Sequence, residues 1–359
     1  SGTDGDPSET CKLKEANATC TDDTCNGKTY THPAFTFGDE ETKGFWVGKF
    51  EASLTDWSGI TAMSSQNDSS EPEVMKLAAD MENVDEFSCI YSDGTSSTKC
   101  GIVFPLTKPN VYSWRNSRVS DFESAIFRMN GINGSKWYNM SSDPHMIKNS
   151  EWGAVAYLSY SKYGTCSGGT CKEIGINNNS NYITGCGAAA GSSSSTTCNA
   201  YNTATGMLAS TTGNIYGVYD MSGGAYEYTM GNVVSNDGST MMSGTSSSAN
   251  SGYTGKAYDF GDYTSYTGIA YPNTKYYDKY SLSASYTSRI KSKLGDGIKE
   301  VYKGYDGWYG DDCAFAFSDN PWFIRGGYSY KGANAGAFGS SSLDGDANSV
   351  SSSRLVITP

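Results

Sequence analysis

The fold turns on one stretch, "GNIYGVYDMSGGAYEYTMGN", residues 213–232. It reads as a strand, a tight Ser-Gly-Gly turn and a second strand, because aromatic and β-branched residues flank the turn on both sides. Asp220 and Glu227 stand at its two ends, with Gly223 and Ala225 between them. Two carboxylates on one short turn, in a chain otherwise full of serine, glycine and tyrosine, raise the question of what they are for.

Outward from this stretch, the chain alternates ordered texture with Ser/Gly-rich segments. "GFWVGKFEAS" (44–53) sets Phe45, Val47 and Lys49 against Trp46, Gly48 and Phe50, a strand with one buried face. "SDFESAIFRMNG" (120–131) predicts a helix with Ser120 as N-cap, Glu123 closing a capping box, and Phe122, Ile126 and Met129 on one face. "KNSEWGAVAYLSYSKYG" (148–164) predicts a second helix. Ser150 is its N-cap, Trp152, Val155, Ala156 and Ser159 form the buried side, and Gly164 is the stop. Beyond residue 164 the pattern is short strands and long loops. "PWFIRGG" (321–327) and "RLVIT" (354–358) read as strands that bracket a long Gly/Ser-rich segment and so hold it inside a domain. The expected class is α+β, with two main helices, short antiparallel strands and high irregular content. A polar, cysteine-bearing extension over 1–34 precedes one domain over 35–359.

Bulk properties narrow the partners. The 359 residues suffice for a substantial core, and 27 tyrosines within a 13% aromatic content argue against disorder. A net charge of −12 without a Lys/Arg run disfavours nucleic acid and anionic membranes. No run of about 18 apolar residues is present to span a bilayer. Ten cysteines without a Cys-x-x-Cys knuckle point to disulfides rather than zinc, and thus to an extracellular or cell- or virion-surface setting. The expected pairs are Cys89–Cys100, Cys166–Cys171 and Cys186–Cys198, with Cys313 joined to one of Cys11, Cys20 and Cys25.

Four segments, in order, resemble the formylglycine-generating-enzyme-like (sulfatase-modifying-factor) branch of the C-type-lectin fold. "GFWVGKFEAS" is similar to its opening strand and "NSEWGAVAYLSYSKYG" to its principal helix. "NIYGVYDMSGGAYEYTMG" resembles its Asn-x-x-Gly-Leu-x-Asp-Met-x-Gly-Asn-Val-x-Glu-Trp signature, and "FIRGGYSY…SSRLVIT" its Arg-Gly-Gly … Gly-Phe-Arg-Leu-Val ending. The likeness spans about residues 35–357. It departs at Tyr226 and Tyr228, which replace tryptophans, at Gly224, which replaces asparagine, and at Ser352 and Ser353, where Gly-Phe usually precedes the arginine. Losing that phenylalanine removes an apolar plug at the C-terminal strand.

The resemblance implies a structural calcium ion at the turn. Asp220 and Glu227 would give side-chain oxygens, and Gly223 and Ala225 backbone carbonyls, to an ion that takes several hard oxygen ligands. The plainer alternative has Asp220 capping the turn and Glu227 paired with an arginine. Enzymes of the family bind copper through a cysteine pair after Arg-Gly-Gly, or iron through three histidines. The segment after Gly327 holds no cysteine, and the chain has two histidines, His32 and His145. No catalytic function is therefore expected, and an oxidase is the weakest alternative.

Ligand binding is the remaining use of this fold. Residues 328–353 are mainly Ser, Gly, Ala, Asn, Asp and Tyr, the vocabulary of antibody binding loops. The segment 322–357 resembles the variable region of diversity-generating-retroelement proteins, and the whole chain resembles surface and pilin-like proteins of gut Firmicutes and their phages. The implied partner is a protein or glycan on another cell or host surface. Expected contacts are Tyr328, Tyr330, Lys331, Asn334, Asp344, Asp346 and Asn348, with Trp308 and Tyr309 at the rim. Phe338, Leu343 and Val350 are expected to anchor the loop, and Arg325 and Arg354 to be structural. The lectin motif that pairs calcium with sugar is absent; "SDNPWF" (318–323) is the nearest shape and does not fit. A subunit of a surface filament, assembling with itself, is the alternative from another class.

Overall fold

A computed structural model describes residues 32–54, 105–115, 117–119, 122–123, 126, 129, 142–234, 273–281, 292–298, 300–302, 307–346 and 348–359, together with the backbone of 89–90 and 96–97. It is α+β. In chain order the strands are β1 (Thr36–Phe37), β2 (Glu40–Glu41), β3 (Trp46–Val47), β4 (Ser53–Leu54), β5 (Cys89–Ile90), β6 (Ser96–Ser97), β7 (Pro105–Leu106), β8 (Asp143–Met146), β9 (Tyr226–Val234), β10 (Asp278–Ser281), β11 (Trp322–Arg325), β12 (Ser340–Leu343), β13 (Ser351–Ser353) and β14 (Leu355–Thr358). Helix α1 spans Asn149–Ser159.

β9 is the hub. β11 lies antiparallel along one edge, pairing Ile324 with Tyr228 and Arg325 with Glu227. On the other edge β13 runs parallel to the first part of β9 and β10 runs parallel to its last part. β12 extends the sheet beyond β11. The expectation of antiparallel strands alone is thus corrected, since two of the pairings of β9 are parallel. A three-stranded antiparallel sheet, β3-β14-β8, carries the C-terminal strand, and the chain steps from the first sheet to the second at Arg354.

The helix packs as its periodicity dictates. Trp152, Val155, Ala156 and Ser159 are buried, and the first three meet Ile147, Met221, Phe338 and Val356 in the main core. Trp152 keeps its indole N–H satisfied by donating to the Ala337 carbonyl at 2.8 Å. The ends of α1 differ from expectation. Lys148, not Ser150, occupies the N-cap, and Glu151 accepts the Lys148 N–H at 2.8 Å. Ser150 lies inside the first turn, where its N–H donates to Asp278 from β10 at 2.7 Å. A carboxylate distant in sequence thereby does what a local cap would do. The helix stops at Ser159, before Gly164, whose missing Cβ makes room for the Leu158 carbonyl.

Other expectations meet the same mixture. Phe122, Ile126 and Met129 are each buried. Ser120 lies outside the described residues, and Glu123 spends Oε2 on the Met146 N–H at 2.8 Å rather than on a capping box. The stretch before Asp220 is a run of turns rather than a strand, and the second strand alone forms, as β9. β3 is two residues long, with Trp46 75% exposed while Gly48 and Phe50 are buried.

Cys166–Cys171 and Cys186–Cys198 are bonded. Cys313 is a correction: it is a free, buried thiol beside Ser340, inside an aromatic cluster with Phe315 and Phe323, rather than bridged to the N-terminal cysteines. Cys11, Cys20 and Cys25, and the side chains of the expected Cys89–Cys100 pair, lie outside the described residues. Ala34, at the end of the expected extension, is already buried against the domain. Among the described residues no helix is long and apolar enough to cross a membrane.

Candidate functional site

The two motif arginines are buried and hydrogen-bonded into the fold. Arg325 donates to the Gly339 carbonyl at 2.9 Å, to Asn149 Oδ1 at 2.8 Å and to the Asp296 carbonyl at 2.9 Å. Arg354 donates Nη1 to the Gly48 carbonyl at 2.7 Å and Nη2 to the Tyr219 carbonyl at 2.9 Å. Its remaining N–H groups grip both oxygens of Glu227, Nε reaching Oε2 at 2.9 Å and Nη2 reaching Oε1.

That grip answers the question posed by the turn. Asp220, at φ +60°, accepts from Asn177 Nδ2 at 2.8 Å, from the Gly185 N–H at 2.9 and 3.0 Å, and from the Glu51 N–H at 3.3 Å. Every carboxylate oxygen of the expected calcium set is therefore engaged, and the guanidinium of Arg354 stands where a cation would serve Glu227. Among the described residues no group of three or more acidic, histidine or cysteine side chains is arranged to hold a metal. The donor set does not fit calcium; it fits the alternative of an anchored turn and an arginine pair. Sequence reasoning missed a third carboxylate, Glu51, which accepts the Ala225 N–H at 2.7 Å. Burial, with Asp220 and Glu227 close by, pushes its pKa well above the usual carboxylate range. Gly224 is required here: at φ +73° it sits so close that a Cβ would come within 2.2 Å of Glu51 Oε1.

The expected ligand contacts fall into two groups. In the first, the chain leaves β11 through Gly326 and Gly327, both at positive φ, and a Cβ on Gly327 would come within 2.7 Å of Ala335. Tyr328 then lies between Tyr226 at 4.9 Å and Tyr330 at 5.9 Å between ring centroids, tilted against both. Tyr330 is 57% exposed. Lys331 reaches Asp312 at 2.6 Å; burial works against its ammonium, but Asp312 and Tyr226 outweigh it and raise its pKa. Asn334 is exposed and donates to the Gly310 carbonyl at 3.3 Å, which brings Tyr309, 42% exposed, onto the same rim. Trp308 turns inward against Tyr160 at 4.5 Å and Phe338 at 5.0 Å. Tyr182 joins this group beneath the guanidinium of Arg115, at 4.1 Å. Its phenol is pushed up to about 12 by burial, with Tyr330 and Tyr328 adding to the shift.

The second group, Asp344, Asp346 and Asn348, supports the loop from within. Asp344 Oδ1 accepts the Asp346 N–H and Asn348 Oδ1 accepts the Val350 N–H, both at 3.1 Å. Asp346 faces Arg118 at 3.4 Å, and its carbonyl accepts the Tyr228 hydroxyl at 3.0 Å. Of the expected anchors, Phe338 is fully buried, while Leu343 and Val350 are half-buried.

Tyr226 and Tyr182 were not foreseen as part of the aromatic row. Tyr226 carried a usable signal, since it alternates outward from Glu227 at the start of β9. Tyr182 carried none. No family model matches the chain, and no curated protein matches it.

Proposed function

We propose that this chain is an extracellular or surface-displayed ligand-binding protein on a C-type-lectin-like scaffold of the formylglycine-generating-enzyme type. Residues 35–359 form the domain, residues 1–34 are an extension, and the partner is a protein or glycan on another cell or host surface. The observation that carries this reading is the Tyr226–Tyr328–Tyr330 row, exposed at its outer end and held from below by the double-glycine turn. Rigid tyrosines offer a large contact area at low entropy cost, and Lys331, Asp312 and Asn334 beside them supply polar contacts. No reaction is assigned to the site. Two disulfides agree with an oxidising compartment. The structural tie that calcium would supply is supplied by Arg354.

Glycan-array and whole-cell binding, compared between the wild type and Tyr328→Ala/Tyr330→Ala, tests the proposal. Retained binding by a folded double variant, or no binding by the wild type to any cell or glycan, overturns it. A specific observation favours the filament alternative as well: β3 is an edge strand whose Trp46 is 75% exposed. Concentration-dependent polymers of the wild type, abolished by Trp46→Ser and seen by electron microscopy, would favour that role.

A further inference from the structure

A cleft of about 450 Å³ opens beside the start of α1, within the size range of small-molecule sites. Its charged wall is Lys148, Lys275, Lys279 and Lys293, with Asp39 and Asp278. In a chain of net charge −12, four ammonium groups against two carboxylates reverse the global balance locally.

The four lysines are not equivalent. Lys148 is 4% exposed, its ammonium 3.4 Å from the Thr36 carbonyl and 3.6 Å from Glu151. Lys275 is bound to Asp143 at 2.6 Å. These two are committed to the protein. Lys279 and Lys293 are half-buried, and their ammonium groups lie 5.6 Å from the Tyr277 ring and 5.2 Å from the Tyr280 ring. Among the described residues neither meets a carboxylate within ion-pair distance. Of the two acids, Asp278 already accepts the Ser150 N–H at 2.7 Å, and Asp39 is exposed at the mouth. An aromatic face steadies an ammonium without neutralising it, and leaves its remaining N–H donors available.

We propose that this cleft binds a small oxyanion — a carboxylate, sulfate or phosphate carried on a body about the size of a sugar — with Lys279 and Lys293 as direct contacts and Lys148 and Lys275 as fixed positive surroundings. The proposal does not rest on the tyrosine rim, because the two sites share no residue.

Calorimetric titration of the full chain with inorganic phosphate, with glucuronate and with glucose, at constant ionic strength, tests it. At least one anion binds saturably with a Kd near or below about 1 mM, glucose does not, and added NaCl weakens binding. Phosphate alone or glucuronate alone would identify the oxyanion. Lys279→Gln/Lys293→Gln weakens binding by about tenfold or more, roughly what the loss of a single charge-assisted hydrogen bond accounts for. Lys279→Arg/Lys293→Arg retains binding, which guards against a folding artefact, and Tyr330→Ala leaves it unchanged. Absence of saturable binding by both anions, equal binding of glucose, or unaltered affinity in the Gln variant would overturn the assignment.

Discussion

Residues 328–334 (Tyr-Ser-Tyr-Lys-Gly-Ala-Asn) and 344–348 (Asp-Gly-Asp-Ala-Asn) belong to one segment of small and polar residues, yet they do opposite things. The first stretch sets its rings side by side and presents Tyr330, Lys331 and Asn334 outward. The second turns Asp344 and Asn348 onto backbone N–H groups two residues ahead, sets the Asp346 side chain against Arg118, and offers the Asp346 carbonyl to the Tyr228 hydroxyl below. Composition identifies a loop that can display side chains. Whether each one is displayed depends on whether a local N–H claims it first.

The largest effect expected is one that removes the floor beneath both stretches. Arg354→Met strands Glu227 in a dry interior and should cost about 3–5 kcal/mol, read as a lower midpoint in urea unfolding. A loss below about 1 kcal/mol would mean that Glu227 takes up a proton and the pair contributes little.

Asp311 sharpens the contrast through pH. It is buried beneath Gly336, and burial with Glu173 opposite raises its pKa from 3.8 to about 8, against a smaller lowering by the Phe338 backbone N–H. The folded chain therefore holds a proton that the unfolded chain releases. Stability from this group is complete below about pH 4 and falls away as pH rises to about 8. Asp311→Asn, neutral at every pH, should flatten that part of the curve and raise Tm at alkaline pH relative to wild type. An unchanged pH slope would count against the assignment.

A smaller effect is expected at the inward stretch. Tyr228→Phe loses the bond to the Asp346 carbonyl, which should cost about 1 kcal/mol of stability and leave ligand binding intact. At the outward stretch, Tyr330→Ala should stay within about 0.5 kcal/mol of wild type while abolishing binding. If the two variants exchanged these outcomes, the division between the stretches would be reversed.

Much of the framework is legible in the sequence because apolar periodicity is local. The runs that became β11 and β14, and the buried face of α1, follow from residue spacing alone. The start of α1 was misplaced for the complementary reason: Asp278 caps it across 128 positions, and no window of sequence joins them. The paired carboxylates of the turn were visible, but their cation arrives from Arg354, 127 positions after Glu227. The lysine cleft was invisible for the same reason, since its lysines are scattered from 148 to 293 and form no run.

The three serines of β13 have a consequence for how such a protein could change over time. They lie fully buried along β9, with hydroxyls that find no partner, directly before the arginine that links the two sheets. A bulkier side chain there would have to push apart the strand carrying Glu227, and a charged one would be trapped without a counterion. New specificities could be written freely around Tyr330, but the seam at 351–353 has to be copied unaltered from one version to the next.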